Sequence, residues 1–174
     1  MKLLFIRHTS VAVPKGMCYG QTDVKLSDTF PEEAAAVNHS LSKYNIDAAY
    51  TSPLSRCVKL AAVCGFPDAI KDNRLMEMNF GDWEMQRYDE ISDPRLQTWF
   101  DDYINVKATA GESFMDQRHR FQSFISSLPH DNATVAVFTH AGILIQAMTT
   151  ILGHSIDEAF AAQPPYGSII EAEI

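Results

Sequence analysis

A chain of 174 residues that is 46% hydrophobic, with only 8 Gly and 8 Pro, has the makeup of one globular domain over 1–174, not of a disordered or fibrous protein. Its 14 Lys and Arg against 22 Asp and Glu give a formal net charge of -8, which argues against nucleic acid or a membrane surface as partner, since both reward a broad basic face. Cys18, Cys57 and Cys64 lack a CxxC spacing, which argues against a disulfide framework or zinc cluster; no apolar run approaches the roughly 20 residues of a membrane span, and a reducing cytoplasm is the expected compartment.

The short apolar run LLFI (3–6) reads as a strand buried on both faces, and it ends on Arg7 and His8. The chain then passes through Pro14, Gly16 and Gly20 before a helix expected over 31–44. Pro31, Glu32 and Glu33 suit its first turn, where a missing amide hydrogen is harmless and acids meet the positive end of the helix dipole. DAAYTS (47–52) reads as a second strand, with Ser52-Pro53 as cap and first residue of a helix that carries LSRCVKLAAVC and stops near Gly65.

A third strand is expected near 68–71, followed by the irregular RLMEMNFGDWE (74–84) and short helices around 86–103. Gly111-Glu112-Ser113 reads as a turn into a helix on which Phe114, Phe121, Phe124, Ile125 and Leu128 recur at helical spacing. TVAVFTH (134–140) is the clearest strand, 141–152 an apolar helix, and 167–174 a closing edge strand. The alternation predicts an α/β three-layer sandwich, with helices on both faces of a mostly parallel central sheet.

Three of these strands end in the same kind of residue. Arg7-His8 follows the first, Thr51-Ser52 with Arg56 one turn on follows the second, and Thr139-His140 follows TVAVF. In a parallel sheet these ends share one edge, the edge where open α/β folds place ligands. Two arginines, two histidines and the amides of two helix starts would converge there as an anion site, and the planar guanidinium fork suits phosphate.

The segments IRHTS (6–10), TSPLSRC (51–57), LMEMNFGDWE (75–84) and FTHAG (138–142) resemble, in order and over nearly the whole chain, the four motifs of the histidine phosphatase superfamily, which includes phosphoglycerate mutases and many phosphomonoesterases. Within it, GMCYGQTDVKLS (16–27) is most similar to the branch of α-ribazole-5′-phosphate phosphatases of cobalamin nucleotide-loop assembly. The resemblance implies a phosphoglycerate mutase-like fold and a phosphohistidine intermediate on His8, whose second ring nitrogen needs a fixed partner such as a backbone carbonyl. It implies that Arg7, Arg56 and His140 grip the phosphoryl oxygens, with further contacts from Gln21, Thr22 and Gly142. Glu77 would be the acid that protonates the leaving oxygen and then the base that activates water. Neither a metal nor another cofactor is implied.

Three departures stand out. The glycine usual in the first motif is Thr9, the asparagine a few residues on is replaced by the Val11-Ala12-Val13 region, and the glycine that often follows Trp-Glu is Met85, a change expected to be neutral. Trp83 and Phe80 are expected to pack their loop. A mutase would need extra cations for a bisphosphate, and the acidic balance favours a phosphatase acting on a small phosphate monoester. Residues 93–112 are expected to cap the substrate, where Trp99, Phe100 and Tyr103 either stack on a planar aromatic group or pack their own helix. A mutase-like or broad-specificity sugar or nucleotide phosphatase, and a non-catalytic phospho-ligand module, remain as alternatives, and no feature of the sequence dictates an oligomeric state.

Overall fold

In the computed structural model, which describes residues 1–129 and 133–174, strand β1 (Lys2–Arg7) runs through the middle of the molecule. Its alternating side chains serve two cores: Leu3 and Phe5 join one hydrophobic cluster, Leu4 and Ile6 the other, and all four are fully buried. That two-sided burial explains why the run is continuously apolar and not alternating.

The remaining elements are α1 (Phe30–Leu41), β2 (Ala48–Thr51), α2 (Ser55–Val63), β3 (Ile70–Lys71), α3 (Arg95–Asp101), α4 (Phe114–Ser127), β4 (Thr134–Thr139), α5 (Ala141–Thr150), α6 (Ile156–Ala162) and β5 (Ile169–Glu173). The sheet order is β3-β2-β4-β1-β5, with every pairing parallel except that of β5 on β1. Helices α4 and α5 cover one face through Phe121, Phe124, Ile143 and Leu144, and α1 and α2 cover the other through Ala34, Val37, Cys57 and Leu60. The expected three-layer α/β architecture is therefore present. No helix among the described residues is long and apolar enough to cross a membrane.

The structure corrects several local expectations. Helix α2 starts at Ser55, not at Pro53, because the Ser52 amide still donates to the Phe138 carbonyl at 2.9 Å and the sheet ladder keeps Ser52 out of the helix. Of the short helices expected over 86–103, α3 alone forms. The backbone at 85–88 is committed elsewhere: Met85 N donates to Cys18 O, Cys18 N to Gln86 O, and Tyr88 N to Gly16 O. Amides used between segments cannot also close helical turns. Helix α6 has no counterpart among the predicted elements. Its signal is Ser155 with Glu158 three residues on, which form a capping box with both reciprocal bonds made.

Met85 is not a neutral replacement. It sits in the left-handed region at φ 63, where a Cβ is crowded against the following carbonyl at a cost of about 1–2 kcal/mol that glycine avoids. The side chain is 46% exposed, so little packing opposes its removal. Replacing Met85 with Gly is expected to leave stability unchanged or raise it by up to about 1 kcal/mol, because relief of strain outweighs the extra backbone entropy of glycine. A chemical-denaturation midpoint that falls instead contradicts this account of the loop.

Candidate active site

The register of the parallel ladders places the three strand ends side by side. Arg7 pairs with Thr139 and Thr51 with Phe138, so β2, β4 and β1 terminate at neighbouring positions. The His8 amide extends the ladder by donating to Thr139 O at 3.0 Å. His8 and His140 therefore stand edge to face, with ring centroids 5.2 Å apart.

Each ring is held by neighbours that do not need it charged. His8 Nδ1 lies 2.7 Å from Thr9 O and donates there, because a carbonyl can only accept, which leaves Nε2 as the unprotonated nitrogen. Burial, reinforced by the Arg56 and Arg7 charges and opposed by the Thr9 bond, lowers its pKa from 6.5 to about 3. His140 is wholly buried and is likewise held well below 6.5 by desolvation first and then by Arg56, His8, Arg120 and Arg7. Its Nε2 lies 2.8 Å from Ser52 Oγ and 3.5 Å from Cys57 Sγ. Ser52, expected to cap a helix, thus contacts the second histidine.

The two arginines are seated by carbonyl oxygens, not carboxylates. Arg56 is fully buried, with Nη1 donating to Thr22 O at 2.9 Å and Nη2 to Gly20 O at 2.6 Å. Arg7 donates through Nη1 to Pro164 O and lies under the Tyr166 ring, 4.0 Å from its centroid. Carbonyls orient a guanidinium without neutralising it, so both positive charges remain available. The Nε donors of both arginines are buried and unpartnered, an arrangement that favours an anion able to accept from them.

Gln21 and Thr22 are turned toward a different carboxylate. Glu84 accepts from Gln21 N at 2.8 Å, Thr22 N at 2.6 Å, Phe80 N at 3.1 Å and the Thr22 hydroxyl, while Gln21 Nε2 donates to Glu77 O at 3.0 Å. Burial raises the Glu84 pKa, but these bonds outweigh it and the net shift is downward. Glu84 thereby clamps the GQT loop whose carbonyls seat Arg56. The loop approaches so closely that a Cβ on Gly20 would lie 2.0 Å from Met78 O. The sequence reading assigns Glu84 no role; the acid of DWE paired with the glycine of YGQT is the available signal.

Glu77 and Gly142 meet directly. Gly142 N donates to Glu77 Oε2 at 3.2 Å, and a Cβ on Gly142 would come within 2.2 Å of Glu77 Oε1. Together with Arg7 and His8 they line a cavity of about 540 Å³, whose remaining walls include Phe80, Tyr88, Trp99, Phe100, Tyr103 and Phe160. Arg56 and His140 are wholly buried behind this lining, and the half-buried Gln21 and Thr22 are not part of it. Phe80, expected to be packing alone, forms part of the wall; Trp83 does pack, with its indole donating to Asp93 at 2.8 Å. The three rings of the 93–112 segment both line the cavity and pack on one another, Trp99 lying 5.3 Å from Phe100 and 6.1 Å from Tyr103. Thr9 is buried beneath His8, with its hydroxyl unpartnered. Chemically, the arrangement offers a neutral imidazole with a free nitrogen, the Arg7 guanidinium and a carboxyl group around one apolar hollow, with the Arg56 guanidinium buried behind them.

The buried neutral histidines also set an acid limit on the fold. The unfolded chain takes up a proton at His8 near pH 6.5 while the folded chain does not until about pH 3, so stability present above pH 6.5 is lost progressively as pH falls through that window. The thermal midpoint is expected to drop between pH 7 and pH 5, and to drop less in His8→Gln. Parallel pH dependences for the two proteins refute the assignment of a neutral, buried His8.

Comparison with known proteins identifies the family and the fold. The chain is 26% identical to phosphoserine phosphatase 1 of Hydrogenobacter thermophilus over 99% of its own length and 87% of the relative's. It is 26% identical to the adenosylcobalamin/alpha-ribazole phosphatase of Salmonella typhimurium over 87% of this chain and 80% of that one. Among solved structures, one from Escherichia coli assigned as an alpha-ribazole-5′-P phosphatase superposes with a TM-score of 0.88 at 23% identity, covering 98% of this chain and 89% of the other. A phosphoglycerate mutase from Thermus thermophilus superposes with a TM-score of 0.79 at 24% identity, over 98% and 92% of the two chains. With residues 3–174 matching the family as a whole, the chain belongs to branch 1 of the histidine phosphatase superfamily.

Proposed function

We propose that the protein is a phosphomonoesterase that works through a phosphohistidine on His8, with a phosphate monoester of a bulky, weakly charged nucleoside-like alcohol, such as α-ribazole 5′-phosphate, as substrate. The observation that carries this reading is the His8 imidazole, kept neutral with Nε2 free, beside the Arg7 and Arg56 guanidinium groups, which donate to carbonyls and, among the described residues, to no carboxylate. In the first step Nε2 attacks phosphorus in line, the P–N bond forms and the P–O bond to the alcohol breaks. Arg7, Arg56 and His140 hold the equatorial oxygens, where charge concentrates in a loose transition state. Glu77 gives its proton to the leaving oxygen, then takes one from the water that attacks the phosphohistidine and releases inorganic phosphate. Gly142 keeps Glu77 close, and Glu84, with Gln21 and Thr22, keeps Arg56 aimed. No step calls for a metal.

The substrate class follows from the cavity walls. Arg7 is the one permanently cationic side chain among the described residues lining it, and phosphoryl transfer already engages that charge. A phosphoglycerate or bisphosphate would bring further anionic groups with no counter-charge, and phosphoserine would bring an ammonium and a carboxylate into a hollow walled by aromatic rings. A neutral planar body stacked against Trp99, Phe100 or Tyr103 suits these walls and holds the ester in line for His8.

Two measurements test the reading. Glu77→Gln should lower kcat/KM for an alkyl ester, glycerol 2-phosphate, by about 10²–10⁴-fold, but barely affect 4-nitrophenyl phosphate, whose leaving group needs no proton. His8→Ala should be inactive on both, and equal losses on both esters for Glu77→Gln rule out the acid role. For the substrate, α-ribazole 5′-phosphate should exceed 3-phosphoglycerate in kcat/KM by at least about tenfold, roughly 1.4 kcal/mol of transition-state preference. A flat profile across monoesters, or robust mutase turnover with 2,3-bisphosphoglycerate, defeats the substrate assignment.

A further inference from the structure

A buried polar chain runs from the surface of α4 to the Glu77 carboxylate. Arg118 Nε donates to Gln146 Oε1 at 3.0 Å, and Arg118 Nη2 donates to Thr149 Oγ1 at 2.7 Å. Gln146 Nε2 in turn donates to Phe114 O at 3.1 Å and to Gln117 Oε1 at 3.4 Å. Gln117 Nε2 then donates to Glu77 Oε1 at 3.1 Å. Gln117 and Gln146 are 1% and 0% exposed; Gln146 is enclosed, and Gln117 borders the cavity itself.

The direction of the chain is fixed at its outer end. A guanidinium has donors and no acceptor, so Gln146 must present its oxygen to Arg118 and its NH2 group inward. Gln117 then accepts with its oxygen and must present its own NH2 to Glu77. Reversing either amide would oppose donor to donor or acceptor to acceptor in a buried setting, which costs the desolvation of both groups.

This direction has a consequence at the carboxyl group. Glu77 Oε1 accepts from Met78 N at 2.9 Å and from Gln117 Nε2, whereas among the described residues Oε2 accepts from Gly142 N alone, at 3.2 Å. An oxygen facing two N–H donors is a poor place for a third hydrogen. Both oxygens lie against the first turn of α5, directly after His140, and Oε2 is the one with fewer donors. We infer that Arg118, Gln146 and Gln117 form a directional hydrogen-bond relay that reserves Oε2 of Glu77 as the proton-carrying atom, making Gln117 and Gln146 positioning residues for proton delivery. The relay rests on the acid role proposed for Glu77: the proton leaves Oε2 for the departing alkoxide as the P–O bond breaks, while Oε1 stays locked by its two donors.

The test compares Gln117→Met and Arg118→Met with the parent on glycerol 2-phosphate and 4-nitrophenyl phosphate. Gln117→Met keeps the length and volume of the side chain and removes its polarity; Arg118→Met breaks the relay at its outer end, well away from substrate. Gln117→Met should lose at least about tenfold in kcat/KM on the alkyl ester, a fraction of a full general-acid contribution, and less than about twofold on the aryl ester. Arg118→Met should shift the same ratio in the same sense by a smaller factor. Adding Gln117→Met to Glu77→Gln should cause no further loss on the alkyl ester, because the two act as one unit. Rapid-quench bursts of phosphohistidine from 4-nitrophenyl phosphate should keep their amplitude in all these variants. Equal losses on both esters in Gln117→Met would mark a merely structural residue and overturn the relay. Discrimination in Glu77→Gln without any in Gln117→Met overturns the relay and leaves the acid role standing; no discrimination in Glu77→Gln removes both.

Discussion

Parallel hydrogen bonding among β2, β4 and β1 is the constraint on which the site depends. Because Arg7 is in register with Thr139 and Thr51 with Phe138, the residues just past each strand have no freedom to separate. Sheet register thus does what a metal or disulfide does elsewhere: it forces like charges and chargeable rings together in a desolvated space. The fold tolerates the crowding by keeping both histidines neutral and by giving the arginines carbonyl partners instead of carboxylates. Had Arg56 been paired with an acid, its field would be largely cancelled before any ligand arrived.

Two carboxylates seven positions apart on one irregular segment are separated by their surroundings. Glu84 is saturated with donors from the GQT loop and serves as a clamp. Glu77 is held on one oxygen more than the other and borders the cavity. The same amino acid is a structural anchor in one place and a candidate for proton transfer in the other, and the difference lies in which backbone and side-chain donors the fold brings near.

The layers, the mostly parallel sheet and the shared edge that carries Arg7, His8, Arg56 and His140 were legible in the sequence because they rest on short-range signals: apolar runs with abrupt polar ends, and alternation of strand and helix patterns. Contacts between distant segments were not legible. Beside Gln21 and Thr22 the sequence shows just Gly20 as a hint that Glu84 captures them, and nothing near Ser52 signals that its hydroxyl reaches His140. The 86–88 stretch reads as helix yet is none, because Gln86 O and Tyr88 N find partners at Cys18 and Gly16, a pairing that no local propensity encodes. Met85 looks innocuous for a related reason: the side chain is exposed, and the strain lies in a backbone angle.

The two margins of the sheet differ in construction but share a property. At one side β3 offers just two residues, Ile70 and Lys71; at the other β5 alternates apolar residues with Glu171 and Glu173. A brief margin with a lysine and a longer one studded with acids both resist the addition of a foreign strand, since an incoming chain gains few ladder bonds at the first and meets charge at the second. The central strands, apolar on both faces and hence the most prone to self-association if exposed, are screened by these margins from edge-to-edge growth. A chain whose active edge demands a dense parallel core is thereby protected against the aggregation that such a core invites.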